Sequence, residues 1–160
     1  MTKFYMKEKI EIGKIGLIFL AIFFVAFVVL QFWQYRLSVE KVFLKGEILN
    51  VWVPKTLRQM YKGLGGKKNL EENQGMLFVF GFPDRHGIVM RDMNFPIDIV
   101  WLDRGEVVDY APGVETEDVP EAQLKVYQPR IDSTMVLELP AGWALAHELK
   151  IGDRMSLVEG

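Results

Sequence analysis

Ile97-Asp-Ile-Val-Trp-Leu-Asp103, then Arg104-Gly105, then Glu106-Val-Val-Asp-Tyr110, is the stretch on which the fold turns. Both runs are short and rich in β-branched and aromatic side chains, the composition of strands rather than of a helix. Asp-Arg-Gly between them is turn chemistry, so the segment predicts two antiparallel strands joined tightly.

The same pattern recurs on either side, at 47–53, 76–82, 87–92, 124–127, 135–139 and 154–158. Pro83-Asp84, Pro112-Gly113, Pro129 and Gly152-Asp153 punctuate these runs. Eight short strands with such turns predict a mainly β fold, a compact antiparallel sandwich or small barrel. Two stretches depart from it. Thr56-Leu-Arg-Gln-Met-Tyr-Lys-Gly63 opens on a capping residue, carries Gln59 three positions on and stops at glycine, so a short helix with a capping box is expected. Residues 141–150, with Trp143, Ala146 and Leu145 or Leu149 on one side, allow a second.

Upstream of the β pattern, Ile15 to Tyr35 is a run of 21 residues without a charge, 18 of them apolar. At about 1.5 Å per residue it matches a hydrocarbon core of roughly 30 Å, and its apolar side chains circle every face. A single transmembrane helix is expected there, with Phe32, Trp33 and Tyr35 at the bilayer exit. A cleaved signal peptide is disfavoured because small residues are missing after the run: no alanine stands between Ala26 and Ala111. Lys3, Lys7, Lys9 and Lys14 precede the span, whereas Arg36, Lys41 and Lys45 follow it. The short stub favours a cytoplasmic N-terminus and an extracytoplasmic C-terminal domain. The expected organisation is a stub at 1–14, the helix at 15–35, a juxtamembrane connector at 36–46 and the β domain at 47–160.

Composition narrows the function. Among 160 residues, 19 basic and 21 acidic side chains give a net charge of −2, without the basic footprint of a nucleic-acid binder. The absence of cysteine excludes disulfides, thiolate metal sites and thiol nucleophiles. Two histidines 61 residues apart offer no zinc ligand set, and 115–118 lacks the spacing of a calcium loop. Gly63-Leu-Gly-Gly-Lys-Lys68 lacks phosphate-loop spacing, and none of Ser38, Ser133 and Ser156 lies in a nucleophile elbow. No cofactor and no metal are implied.

Several blocks in order are recognisable: Thr56 with Gly63-Leu64, Gly75-Met-Leu-Phe-Val-Phe80, Met90-Arg-Asp-Met93 with Phe95-Pro-Ile-Asp-Ile99, Val136-Leu-Glu-Leu-Pro-Ala-Gly142, and Ile151-Gly-Asp153. In this order they closely resemble the uncharacterised family known as domain of unknown function 192, from about Leu49 to Val158. The resemblance implies a compact, mainly β domain of jelly-roll-like or barrel-like type, commonly exported or membrane-tethered, and implies no reaction. The chain departs from the family pattern at Met60, where arginine is usual, and at Val89-Met-Arg-Asp-Met93, where Trp-Met-Lys-Asn-Thr is usual.

Ionisable residues crowd into 84–98. Strand alternation puts Asp98 on the face shared by Val100 and Leu102, where a carboxylate needs a cation or backbone donors. Arg91 is a candidate partner, and Asp92 and His86 complete the candidate binding set of Arg91, Asp92, Asp98 and His86. Trp52, Trp101 and Trp143 are expected in the core. Two functions fit these features. One is a membrane-tethered module that binds a partner protein or an envelope ligand such as a glycan. The other is a small envelope enzyme using the Asp/Arg/His cluster of 84–98 for acid–base work.

Overall fold

A computed structural model describes residues 11–158, in two units that divide between Arg36 and Leu37. The first is helix α1, Glu11–Tyr35. Within it Gly13–Gln31 is long and apolar enough to cross a membrane, and side chains such as Leu17, Phe19, Phe23 and Leu30 are exposed. Lys3, Lys7 and Lys9, and the side chains of Phe32, Trp33 and Tyr35, lie outside the described residues.

The second unit is mainly β. Its elements are β1 (Ser38–Leu44), β2 (Glu47–Val53), α2 (Leu57–Lys62), β3 (Gln74–Asp84), β4 (Ile97–Asp103), β5 (Glu106–Val114), β6 (Ser133–Pro140), α3 (Trp143–Ala146) and β7 (Ser156–Leu157). The strands form one seven-stranded sheet in the order β5-β4-β6-β3-β2-β1-β7. The strip leading into β7 hydrogen-bonds to the other end of the sheet. Val107 N–H donates to Asp153 O (2.8 Å), Met155 N–H to Gly105 O (2.7 Å), and Glu106 bridges to Arg154. The sheet therefore curls into a half-barrel.

Local chemistry explains the elements that match expectation. The 97–110 segment forms the antiparallel β4–β5 hairpin, with Arg104 (φ +48°) and Gly105 (φ +89°) both left-handed in the turn. At α2, Thr56 Oγ1 accepts from Gln59 N–H (3.2 Å) while Gln59 Oε1 accepts from Thr56 N–H (3.2 Å), the reciprocal capping box.

Other segments differ from expectation. The pairing is not wholly antiparallel: β2 and β3 run parallel, because the α2 crossover returns the chain to the same end of the sheet. Ser38–Leu44, inside the expected connector, is a full strand paired with β2 from Ser38↔Val53 to Leu44↔Glu47. Residues 87–92 and 124–127 pair only through one bridge, Ile88↔Tyr127, and otherwise form loops; the first buries Ile88 and Met90 as a cover rather than as a strand. Of 154–158 only Ser156–Leu157 joins the sheet as a strand, and the second helix shrinks to α3 after a left-handed Gly142 (φ +88°).

The alternating faces carry two apolar clusters. Inside the curl lie Val42, Leu44, Leu49, Val51, Leu77, Val100, Leu102, Leu137 and Leu139, with Trp143 and Ala144 of α3 packed among them. Met76, Phe78, Ile99, Trp101 and Val136 point the other way, under Leu64, Ile88 and Met90 from the loops. Trp101 and Trp143 are buried, and half-buried Trp52 lies beneath Lys67, whose Nζ is 3.7 Å from the ring centroid.

Candidate functional site

Asp98 is buried at the end of the inner cluster, on the face that alternation assigns it, but Arg91 is not its partner. Oδ1 accepts from Gly113 N–H (2.7 Å) and Gly142 N–H (3.0 Å), and Oδ2 from Ala144 N–H (2.7 Å). Gly142, which enters α3, has no side chain to cap the helix. A carboxylate from β4 does so across 46 residues of sequence. The same atoms fasten β5 at Gly113, so Asp98 ties three segments together.

His86 is likewise buried. Its ring stacks on Phe80 at 3.7 Å between centroids and meets Phe82 edge-on at 5.2 Å. Nε2–H donates to Phe82 O (3.0 Å), and the His86 carbonyl accepts from Trp101 Nε1–H (2.8 Å). The imidazole is a packed ring with its Nε2 proton engaged.

Arg91 and Asp92 come together in a different place. The loop that carries them is held by a close approach. A methyl at Gly65 would sit 2.9 Å from Arg91 O, and Gly66 N–H donates to Asp92 O at 2.8 Å. Asp92 adopts φ +53°, the left-handed region that aspartate tolerates better than most residues. Arg91 Nη1 donates to Tyr61 O (2.9 Å), Nε and Nη2 reach Glu121 Oε1 (2.9 and 2.8 Å), and the guanidinium lies 3.8 Å from the Tyr61 ring centroid. Tyr61 Oη also donates to Glu121 (2.7 Å). That bond holds the Glu121 carboxyl below its ordinary range, where Arg91 adds to the effect, and the Tyr61 phenol above its own, where Arg91 acts against it.

Arg91, Asp92 and Glu121 border an open cleft of about 360 Å³ whose wall also includes Glu117 and Asp118. Four carboxylates against one guanidinium make it acidic. Glu117 Oε2 accepts from Lys125 N–H (3.0 Å), while Oε1 is buried without a hydrogen-bond partner. Among the described residues no three His, Asp or Glu side chains converge as metal ligands. A second cleft of about 500 Å³, beside Glu47, Glu71, Trp143 and His147, contains none of the four candidate residues.

Tyr61 and Glu121 have no local sequence signal, since the contacts joining Arg91 to them each span 30 residues. Glu138 had one. In Met135-Val-Leu-Glu-Leu139 it alternates with Leu137 and Leu139 and so shares the face of Val136. It is buried between β3 and β4, opposite Met76 and Ile99. Its Oε2 has no partner, and burial pushes the carboxyl up to about 8.

No curated protein matches. A crystal structure of a protein of unknown function from Novosphingobium aromaticivorans DSM 12444 superposes with a TM-score of 0.68 at 23% identity, covering 75% of this chain and 86% of that one. A protein of Sinorhizobium meliloti 1021, described provisionally as a transcription regulator, gives 0.66 at 24% identity over 76% and 95%. At such identities the likeness carries the fold alone. The family described as Uncharacterized ACR, domain of unknown function 192, matches residues 40–157, from β1 through β7, and the chain belongs to that family.

Proposed function

We propose that this protein is a membrane-anchored binding module. In this reading α1 spans the bilayer with its N-terminus in the cytoplasm, and the β unit lies outside and takes an envelope ligand in the Arg91–Glu121 cleft. The observation that carries it is the wall of that cleft: Asp92, Glu117, Asp118 and Glu121 line it with a single arginine, and one carboxylate oxygen of Glu117 is buried and unpaired. Such a wall suits a small ligand rich in hydrogen-bond donors and bearing a positive charge, such as an amino sugar. Acid–base catalysis by the 84–98 cluster gains no support from the geometry, because Asp98 and His86 are both engaged away from the cleft.

The test is thermal denaturation of the full chain in detergent with glucosamine, and with N-acetylglucosamine as the uncharged control. At tenfold over Kd, binding to the folded state adds about 1.4 kcal/mol, a rise of roughly 3 °C in Tm. The expected result is a rise with glucosamine that the neutral sugar does not reproduce and that Glu117→Gln abolishes. Equal response to both sugars, or none to either, overturns the assignment of ligand class.

A further inference from the structure

On the outer face of the β1–β2 ladder, three apolar side chains, Val39, Phe43 and Ile48, are exposed. Register pairs Val39 with Trp52, Lys41 with Asn50 and Phe43 with Ile48, and paired residues of an antiparallel ladder share a face. Val39, Phe43 and Ile48 are 55%, 43% and 50% exposed, whereas Val42, Leu44, Leu49 and Val51 fill the inside of the curl. The outer face carries Lys41 and no carboxylate. Glu40 and Glu47 fall in the opposite alternation, paired with Val51 and Leu44. The residues after Lys14 carry a net charge of −4, so a stripe that is both apolar and free of acids stands apart from the rest of the unit.

Its position in the chain selects the occupant. α1 ends at Tyr35 and β1 starts at Ser38, with only Arg36 and Leu37 between. An extended chain reaches about 3.5 Å per residue, so Val39 is at most about 14 Å of contour beyond the helix end. The polar layer on each side of the hydrocarbon core is itself about 5–8 Å deep. A stripe that begins within this contour of a spanning helix is within reach of the headgroup layer, and a lysine within it adds about 1 kcal/mol of attraction near anionic headgroups.

We infer that the Val39–Lys41–Phe43–Ile48 face is a lipid-docking surface, its apolar side chains seated in the headgroup layer and Lys41 among lipid phosphates. The inference rests on the reading of α1 as a membrane span.

The natural absence of cysteine makes single-cysteine labelling clean. The full chain, as F43C, I48C, E40C or F23C, is labelled with an environment-sensitive fluorophore and reconstituted into vesicles of equal parts phosphatidylcholine and phosphatidylglycerol containing nitroxide-labelled lipid. Labels at 43 and 48 are expected to be quenched about twofold more than the label at 40, which sits on the same ladder but faces the other way, and the label at 23 most of all. An unquenched label at 23 removes the membrane span and the docking surface with it. A quenched label at 23 with labels at 43 and 48 no more quenched than at 40 overturns the docking surface alone. So does blue-shifted emission at 43 without quenching, which would place a second copy of the chain on the stripe.

Discussion

Asp98 shows how one carboxylate can be structural where its setting invites a catalytic reading. Three backbone N–H groups converge on it within 3.0 Å, from the β5 bend, the entry to α3 and α3 itself. Asp98→Asn replaces one acceptor oxygen with an NH2 group that faces donors, leaving buried N–H groups unmet. The expected loss is about 2–4 kcal/mol, read as a lower urea midpoint with unchanged slope. Folding retained with only ligand binding lost would instead assign Asp98 to a site. Glu138 acts through its proton. Burial raises its carboxyl to about 8 in the folded state, against 4.5 ordinarily, so between those values the folded chain holds a proton that the unfolded chain releases. Its contribution to stability therefore falls as pH rises through that window, by at most about 1.4 kcal/mol per pH unit. Glu138→Gln is expected to melt progressively higher than the parent chain as pH goes from acid to neutral to weakly basic, in a Tm-against-pH series. A constant difference across pH would contradict this account. Asp109 works in the opposite sense: hydrogen bonds from Arg130 hold its carboxyl below the ordinary value, so its stabilisation is present above that range and lost on acidification.

Elements were legible where their causes are local. The capping box that starts α2 and the left-handed turn of the β4–β5 hairpin are written within a few adjacent residues. β1 was not legible, because Val39, Glu40 and Lys41 interleave charge with apolar side chains directly after a lipid-compatible helix, and only pairing with β2 reveals the strand. The 87–92 loop has strand composition, yet its Ile88 and Met90 satisfy their burial as a lid over the outer cluster. The consequence for β1 can be measured. Val42 and Leu44 are fully buried, each worth about 1.5–3 kcal/mol, and the strand pairs along seven residues. A chain beginning at Leu37 is expected to fold, with a sharp cooperative melt by circular dichroism. One beginning at Glu47, the boundary that composition alone suggests, is expected to lose that transition. Similar melts for the two would show that β1 is dispensable.

At the scale of the molecule, mainly β character and family membership were readable from the order of the blocks, whereas closure and the cleft were not. Curling depends on hydrogen bonds between Gly105–Val107 and residues 152–155, some 45 residues apart, and the wall of the cleft depends on Tyr61 of α2, Arg91 of the 87–92 loop and Glu121 of a helical turn meeting across the sequence. Such contacts leave no periodicity behind. They also account for how the four candidates divide: Arg91 and Asp92 share a cleft, while Asp98 and His86, near them in sequence, are turned into separate parts of the core.

The strip at 152–157 bonds both to β5 and to β1, although every other strand precedes it in the chain. On a ribosome, β1 would emerge first and wait for its outer neighbour until more than a hundred further residues had been made. During that interval the nascent sheet would offer an open edge to any passing strand, so synthesis of this protein is the stage at which a holding chaperone would matter most.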